Sequence, residues 1–432
     1  MSKSDIISIY DKSPKIAVLE STFAARQKSQ MTGLVGSSLS FVMHSLFKKA
    51  ELPFLILFNN KEEAAYYLND LEQLINTEDV LFYPSSYRRP YQIEETDNAN
   101  VLLRAEVLNR INSRKKPAII VSYAEAIFEK VVTRKELEKN TLKLSVEDKL
   151  SIDFINETLF EYNFKRVDFV TEPGEFSVRG GIIDVFSFSN DNPYRIEFFG
   201  NEIDSIRSFD VETQLSIEKL KKISIIPNVE NKLLQENRES FLDYINEKTV
   251  LVIQNTELLG QQLDKLFDKA NEAFEKLSKD IQHAPPEELF LNQKQFLKRA
   301  LDFSVIELHA NAVFKTDKKV EFHIQPQPSF NKQFDLLLNN LSENHFNGYK
   351  NYLCCSNENQ ASRFHDIFED IDEANHESIR KQYKTMVLPL FEGFIDEENQ
   401  IACYTDHQIF ERYHKFSIKN GYSKKQTITL KE

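Results

Sequence analysis

Three short runs of large apolar residues near the start of the sequence constrain the fold most. They lie at 53–58, 80–83 and 118–121, and the stretches between them carry apolar residues at helical spacing, at 61–75 and 98–111. Strands that are buried on both faces read as continuous apolar runs, and their alternation with helices is the pattern of βαβ units. The first third of the chain is therefore predicted to form an α/β domain.

The pattern changes near Ser145. From Phe164 to Pro227 apolar and polar residues alternate, with turn residues between the runs, which predicts an antiparallel sheet. Helical spacing returns after Leu233, together with one more buried strand at 249–253.

A last α/β unit is predicted after Phe330. Its strands are expected at 352–355, 386–388 and 401–404, with helical segments between them. The final stretch, 417–432, is polar and is predicted to be a linker, so the sequence is expected to be part of a longer protein.

The stretch 33–40, GLVGSSLS, has the layout of the phosphate-binding loop GxxxxGK[ST]. That loop needs a second glycine for close backbone approach, a lysine for the phosphate charge and a hydroxyl for magnesium. Here Ser38 replaces the glycine, Leu39 replaces the lysine, and only Ser40 keeps its part. The residues alone also fit a turn of small residues in which a serine caps an ordinary helix. The positions of this degenerate loop, predicted not to bind phosphate, are Gly33, Gly36, Ser37, Ser38, Leu39 and Ser40.

Two further segments, 174–186 (GEFSVRGGIIDVF) and 194–210 (YRIEFFGNEIDSIRSFD), carry a family resemblance. They resemble GxxxxRGxxxDxF and R-x-[DE]-F-F-x-[DE]-E-I-[DE]-x-[IL]-R-x-F-D. These are signatures of the UvrA-binding domain that the excision-repair helicase UvrB shares with the transcription-repair coupling factors (Mfd). Asn201 departs from the acidic residue of the second signature. Residues 30–41 also resemble the phosphate-loop region of UvrB, and more closely its inactive counterpart in the coupling factors. The likeness covers about residues 30–406.

Two departures separate the chain from UvrB. The degenerate loop lacks its lysine, and the segment Pro84–Asn98, which carries Arg88 and Arg89, is short. UvrB has a longer, tyrosine-rich insertion there that forms its damage-probing hairpin. The chain therefore resembles the N-terminal, UvrB-like part of the coupling factors, whose motor lies downstream.

The resemblance implies a multidomain α/β fold. It consists of a UvrB-like α/β domain with a degenerate phosphate loop, an inserted, mainly antiparallel α+β docking domain and a small α/β domain. The implied boundaries are 1–144 for the first segment of the UvrB-like domain, 145–228 for the UvrA-binding domain, 229–325 for the second UvrB-like segment, 326–412 for the small α/β domain and 413–432 for a linker.

Period-two logic sorts the side chains around Arg195 into two faces. Tyr194, Ile196 and Phe198 share the apolar face, while Glu197 and Phe199 share the face of Arg195. An exposed phenylalanine beside an arginine has the composition of an interface hot spot. The residues alone also fit surface ion pairs of the arginines with Glu197 or Glu202.

In the preceding strand the side chains are less clearly divided between two faces. One face is predicted to hold Phe176, Val178, Ile182 and Phe186, and the other Arg179 together with Ile183 and Val185. Asp184 is placed on the core face, as a structural hydrogen-bond acceptor rather than a catalytic acid. The resemblance implies that Arg179, Arg195 and Phe199 are the contacts to UvrA.

The implied function is recruitment of UvrA to lesions where RNA polymerase has stalled. No catalytic residue and no cofactor are expected in this sequence, because ATP and magnesium belong to the motor beyond Glu432. The implied partners are UvrA and, in an autoinhibited state, the C-terminal domain of the same protein. RNA polymerase and DNA are expected to bind through domains outside the sequence. The alternative is a nucleotide-dependent, UvrB-like protein that binds damaged DNA.

The charge balance favours the first reading. The 432 residues carry a net charge of −13, whereas affinity for nucleic acid comes largely from lysine and arginine. The local exception is a basic cluster at Arg110, Arg114, Lys115 and Lys116.

Cysteine and histidine give no sign of a disulfide framework or a metal site. Cys354, Cys355 and Cys403 are predicted to be buried thiols in strands, which fits a reducing cytoplasm. The sequence has no signal-peptide pattern and no apolar run long enough to span a membrane. Metal-ligand spacing is missing at His283, His309, His323, His407 and His414.

Overall fold

The structure is a computed structural model that describes residues 3–86, 90–91, 98–113, 116–188, 192–226, 237–277, 284–371, 376–412, 417–418 and 426–427. Within these ranges the strands form sheets of seven, six and five strands and three two-stranded pairs. The predicted multidomain α/β class is confirmed at this level. Outside the described residues lie Arg88, Arg89, Arg114, Lys115, His283, His414 and most of the predicted linker.

The chain up to residue 141 alternates helices and strands. The helices are α1 (Ser4–Asp11), α2 (Pro14–Glu20), α3 (Ser38–Ala50), α4 (Lys61–Leu74), α5 (Asn98–Ser113), α6 (Ala124–Phe128) and α7 (Arg134–Lys139), with a 3-10 turn at Thr77–Asp79. The strands are β1 (Lys28–Thr32), β2 (Phe54–Phe58), β3 (Val80–Phe82), β4 (Ile119–Tyr123) and β5 (Val131–Val132).

The next part is mainly antiparallel. Its elements are β6 (Leu142–Ser145), α8 (Ile152–Glu161), β7 (Lys165–Arg166), β8 (Glu175–Arg179), β9 (Ile182–Val185), β10 (Tyr194–Phe199), β11 (Glu202–Phe209), β12 (Ser216–Leu220) and β13 (Lys222–Ile225). The sheet order is β12-β11-β10-β9-β8-β7, and only β7 and β8 pair in parallel. β6 and β13 pair with each other where the chain enters and leaves this part.

The following segment returns to the first sheet. Its elements are β14 (Arg238–Glu239), α9 (Phe241–Tyr244), β15 (Val250–Ile253), α10 (Thr256–Glu275), α11 (Pro286–Leu289), α12 (Gln293–Ala300), β16 (Ser304–Glu307) and β17 (Lys318–Glu321). The seven-stranded sheet has the order β17-β1-β16-β15-β2-β4-β3, and all its pairings are parallel. The two neighbours of β1 are thus strands that follow it by more than 270 residues.

The last α/β unit has a sheet of its own. Its elements are β18 (Ile324–Pro326), α13 (Phe334–Phe346), β19 (Lys350–Cys355), α14 (Glu358–Ile371), α15 (His376–Arg380), β20 (Tyr383–Val387), β21 (Phe394–Asp396), β22 (Ile401–Thr405) and α16 (Asp406–Ile409), followed by the pair β23 (Ser417–Ile418) and β24 (Gln426–Thr427). The sheet order is β18-β21-β22-β19-β20. The strands predicted near 352, 386 and 401 are confirmed, and the three cysteines are buried as predicted. The predicted domain boundaries stay predictions.

Local sequence explains several of these elements. The strands β2, β4 and β15 are entirely buried, as their apolar runs predict. α4 begins after Asn60, whose side chain accepts a hydrogen bond from the Glu63 N–H at 2.9 Å. The negative charges of Glu62 and Glu63 in its first turn interact favourably with the positive end of the helix dipole.

The side-chain sorting predicted for β8 and β9 is wrong in part. Phe176 and Val178 do lie on the core face, but their cross-strand partners there are Val185 and Ile183. Ile182 and Phe186 lie on the other face. The reason is the two-residue turn at 180–181, which joins even positions of β8 to odd positions of β9, so that period-two counting cannot be carried through it.

None of the helices in the described ranges is long and apolar enough to cross a membrane.

Candidate functional site

Two arginines of the six-stranded sheet share one carboxylate. Asp184 on β9 lies directly opposite Arg195 on β10. Arg195 donates from Nε to Oδ1 of Asp184 at 2.7 Å and from Nη2 to Oδ2 at 2.9 Å, a bidentate pair. Arg179 on β8 also donates to Oδ2. Asp184 is only 1% exposed, so the two guanidinium groups shield it from solvent.

Two expectations about these residues are corrected. Asp184 is a structural acceptor, as predicted, but it lies on the arginine face and not on the core face, because cross-strand partners share a face. The arginines do not pair with Glu197 or Glu202. Glu197 is bound by Arg207 and accepts from the Ser205 hydroxyl at 2.6 Å.

Arg195 is held on several sides. Its guanidinium lies over the ring of Phe209 at 4.5 Å from the centroid, and its Nη1 donates to the Gln214 carbonyl at 3.3 Å. The hydrogen bond to Asp184 raises the pKa of Arg195. Its side chain is 17% exposed, so Arg195 offers a partner little more than one edge.

Arg179 is more accessible than Arg195. Its side chain is 42% exposed and lies over the ring of Phe169, at 5.3 Å from the centroid. Phe169 is itself 61% exposed. An arginine stacked on an exposed aromatic ring presents both charge and apolar area to a partner.

Phe199 is 84% exposed, which confirms its predicted outward position. It lies at the end of β10, opposite Glu202, and Gly200 in the following turn has a φ of +63°. The register shifts between Glu197 and Phe198, and Phe198 packs partly against the core. The sheet thus brings Arg179 and Arg195 together, while Phe199 stands at the hairpin tip four residues beyond Arg195.

The loop 33–37 joins β1 to α3 at the carboxyl end of the parallel sheet, where open α/β sheets bind ligands. Gly33 has a φ of +77°, and a Cβ there would lie 1.8 Å from the Phe322 carbonyl oxygen. Gly36 has a φ of +53°. Both positions therefore require glycine.

The serines of the loop are engaged within the protein. Ser37 is at the N-cap position of α3, but its side chain makes no capping bond. Instead its Oγ accepts from the Glu392 N–H at 3.0 Å, and its own N–H donates to the Glu392 carbonyl at 3.1 Å. Ser38 Oγ donates to the Val35 carbonyl at 2.6 Å and accepts from the Val35 N–H. Ser37 is therefore not an ordinary serine N-cap.

Leu39 and Ser40 are buried at the start of α3. A cavity of about 230 Å³ beside Leu39 is lined by Met31, Leu34, Leu39, Asn59, Tyr67, Gln254, Asn255, Leu308 and His309. None of these lining residues, all from the described part of the chain, is a lysine or an arginine.

Asp70 on α4 lies beneath the loop and is fully buried. Burial raises the pKa of Asp70 to about 7, an effect partly offset by hydrogen bonding with the Ser37 hydroxyl and the Phe391 N–H. Phe391 N–H donates to Oδ1 at 2.7 Å. Sequence reasoning missed both Asp70 and the segment around Phe391, because no local pattern places them beside the loop.

Two of the described histidines, His323 and His407, are accounted for by their local surroundings. His323 contacts Glu398 at 2.6 Å, and burial lowers the pKa of His407. In the described ranges no three histidine, cysteine or acidic side chains are grouped to hold a metal ion.

The comparisons with known proteins agree with the geometry of the middle part. A family model described as the UvrB interaction domain matches residues 142–230. The chain is 32% identical to a transcription-repair-coupling factor of Bacillus subtilis over 216 residues, which are 50% of this chain and 18% of that protein. It is 23% identical to that of Borreliella burgdorferi over 440 residues, covering 92% of this chain and 38% of that protein.

A second kind of relative is the UvrABC system protein B. The protein of Clostridium botulinum is 30% identical over 210 residues, which are 46% of this chain and 32% of the relative. The chain thus spans from about a fifth to two fifths of the length of these relatives. The resemblance predicted from the motifs is confirmed: residues 142–230 match the UvrB interaction domain, and the chain is similar to the transcription-repair-coupling factors over about half to most of its length.

Proposed function

We propose that this chain is the partner-docking region of a transcription-repair coupling factor, and that it recruits UvrA to lesions where RNA polymerase has stalled. The observation that carries the proposal is that one sheet of the matched domain holds both the carboxylate-held arginines and, at a hairpin tip, the exposed Phe199. The Phe199 side chain is 84% exposed, so the protein forgoes the stabilisation of about 2 kcal/mol that burying this side chain would give. Such a residue is what a partner site requires.

The three proposed contacts have different parts. Phe199 and Arg179 are accessible enough to touch UvrA directly, and Phe169 extends the apolar area beside Arg179. Arg195 is mostly enclosed, so it acts chiefly by holding Asp184, which in turn orients Arg179. Arginine and aromatic residues are enriched among binding hot spots, which supports this assignment.

The test is binding of purified UvrA to this chain, measured by calorimetry and by pull-down. We expect a saturable complex that survives physiological salt. Failure of purified UvrA to bind the folded chain would contradict the proposal.

We further propose that this face is covered in the resting protein by the C-terminal domain of the same protein, as an autoinhibited state requires. RNA polymerase and DNA are proposed to bind through other domains of the whole protein. No activity of its own and no cofactor are proposed for the chain.

Residues 33–40 are proposed to be a degenerate phosphate loop, and we expect no ATP binding in the micromolar range. Leu39 supplies no charge for the phosphates, and a charge-assisted contact is the strongest that such a loop makes. Calorimetric titration with ATP and magnesium checks this. A micromolar dissociation constant that Ser40→Ala weakens would favour the alternative, a nucleotide-dependent UvrB-like protein.

The chain is also expected to bind double-stranded DNA no better than a generic acidic protein. Its net charge is −13, and Arg110 and Lys116 of the basic cluster both bind Asp79, at 3.1 and 2.5 Å. Asp79 carries a single negative charge, so it compensates one of these two positive charges. Electrophoretic mobility shifts at physiological salt are the measurement. A shift that disappears on neutralising Arg114 and Lys115 would contradict the expectation.

A further inference from the structure

The connection between β20 and β21 covers the loop at the start of α3. Its residues 391–393, here called the plug segment, contact the loop through backbone groups. Glu392 exchanges two hydrogen bonds with Ser37, through its N–H and its carbonyl, at 3.0 and 3.1 Å. A Cβ on Gly36 would lie 2.9 Å from the Gly393 carbonyl oxygen, so the two backbones approach closely.

Side chains of α4 anchor the plug segment from below. The Phe391 ring stacks on Tyr66, with centroids 4.0 Å apart and 15° between the planes. The backbone N–H of Phe391 donates to Asp70 Oδ1 at 2.7 Å. Tyr67 completes the wall, because its hydroxyl donates to the Gly36 carbonyl at 3.2 Å.

The last α/β unit holds the plug segment from above. Gly393 donates its N–H to Gln408 Oε1 at 2.8 Å. A Cβ at Gly393 would lie 2.5 Å from the Cys403 carbonyl oxygen and 2.1 Å from Gln327 Oε1. The plug segment is thus fixed in its own unit and against the loop at the same time.

Backbone N–H groups at the start of a helix are what a phosphate loop offers to its ligand. Here three of these groups already have acceptors within the protein. The Ser37 N–H donates to Glu392, and the N–H groups of Ser38 and Ser40 donate to the carbonyls of Val35 and Ser37. A phosphate would have to displace Glu392 to reach the Ser37 N–H.

We propose that the plug segment is a built-in occupant of the degenerate loop, which excludes phosphate independently of Ser38 and Leu39 and clasps the last α/β unit to the first sheet. The inference rests on the proposed assignment of 33–40 as a degenerate phosphate loop. It goes beyond that assignment, because it predicts that restoring the lost residues does not restore binding.

The experiment uses the whole chain and four variants. Ser38→Gly with Leu39→Lys restores the signature, and Phe391→Ala with Glu392→Pro dislodges the plug segment by removing the stack and the N–H that binds Ser37. The third variant combines all four changes. The control is Phe346→Ala, an equal truncation at a residue of the same unit that is 91% exposed.

Magnesium pyrophosphate binding is measured by calorimetry, and hydrogen–deuterium exchange is followed in the peptide that covers residues 33–40. We expect pyrophosphate to bind the combined variant only. Exchange of the loop should be slow in the unchanged chain and in the control, and about tenfold faster once the plug contacts are lost, the effect of removing one net hydrogen bond.

Three results would count against the inference. If the restored signature alone binds pyrophosphate as tightly as the combined variant, the plug segment excludes nothing. If the loop of the unchanged chain exchanges as fast as the exposed hairpin at 199–202, the clasp does not exist. If the combined variant has a fast-exchanging loop and still binds no pyrophosphate, the phosphate-loop assignment itself is wrong, whereas UvrA binding on the other sheet is untouched.

Discussion

Phe199→Ala is expected to weaken UvrA binding about a hundredfold while leaving the fold intact. Truncation of a hot-spot residue costs about 2–4 kcal/mol of binding, and about 2.8 kcal/mol corresponds to a factor of one hundred. The side chain is 84% exposed, so its removal takes almost nothing from the core. The dissociation constant is measured by calorimetry and the melting temperature by circular dichroism.

Two controls accompany this variant. Phe346→Ala removes an equally exposed ring from the last α/β unit and should change neither binding nor stability. Ile196→Ala, a fully buried position on β10, should lower the melting temperature through loss of core packing, worth about 2–5 kcal/mol. If Phe199→Ala melts the domain while the remaining folded protein binds UvrA normally, the docking face lies elsewhere.

The arginines are expected to separate binding from stability. Arg179→Ala should weaken UvrA binding, with a small effect on folding because Arg195 still neutralises Asp184. Arg195→Ala should weaken binding and also destabilise the domain, because a carboxylate that is 1% exposed loses its bidentate partner. If the arginines meet carboxylates on UvrA, association should also slow as salt rises.

Asp70→Asn is expected to stabilise the protein strongly at pH 8.5 and much less at pH 5. Burial raises the pKa of the carboxyl from 3.8 to about 7, so the folded protein binds this proton more tightly than the unfolded chain does. Its favourable contribution is complete below the unfolded pKa and is lost as the pH rises through the folded pKa. Above that value the folded state holds a buried charge that costs on the order of 4 kcal/mol.

Asparagine avoids this cost and keeps the geometry. Its side-chain oxygen can still accept from the Phe391 N–H, as Asp70 does at 2.7 Å. Burial and the charge of Glu63 also raise the pKa of Glu392, so Glu392 too makes the protein less stable as the pH rises. This contribution is the same in the unchanged protein and in the variant. The free energy of unfolding is measured by urea denaturation at both pH values.

The matched control is Asp268→Asn, the same change on the exposed side of α10. It should leave the pH dependence of stability as it is in the unchanged protein. An Asp70→Asn variant whose advantage is the same at pH 5 and pH 8.5 would contradict a neutral, buried Asp70.

Apolar runs made several strands predictable, and β1 shows why others were not. Its sequence, KSQMT, reads as polar, yet Lys28, Ser29 and Gln30 are buried. The polar groups of Lys28 and Gln30 find acceptors far along the chain: Lys28 Nζ donates to the Leu301 carbonyl at 2.9 Å and Gln30 Nε2 to the His309 carbonyl at 2.9 Å. Such acceptors leave no trace in the local pattern.

In the candidate site, too, the sequence predicts the position of some residues and not of others. The outward position of Phe199 follows from strand alternation, because Arg195 and Phe199 are four residues apart in β10 and the alternation persists across the register shift after Glu197. The place of Asp184 does not, since the count fails at the turn before β9. The partnership of Asp70 with Phe391 joins residues 321 positions apart, which spacing on α4 cannot indicate.

The strand order of the seven-stranded sheet also determines when β1 can find its partners during protein synthesis. β1 is made early, but both strands that flank it, β16 and β17, end only at Glu307 and Glu321. At about 5–20 residues per second, β1 therefore waits roughly 15–60 seconds for its partners after it has been polymerised. Over that interval both of its edges are open to wrong pairing. The nascent chain is thus expected to depend on chaperones that shield β1 until residue 321 has left the ribosome.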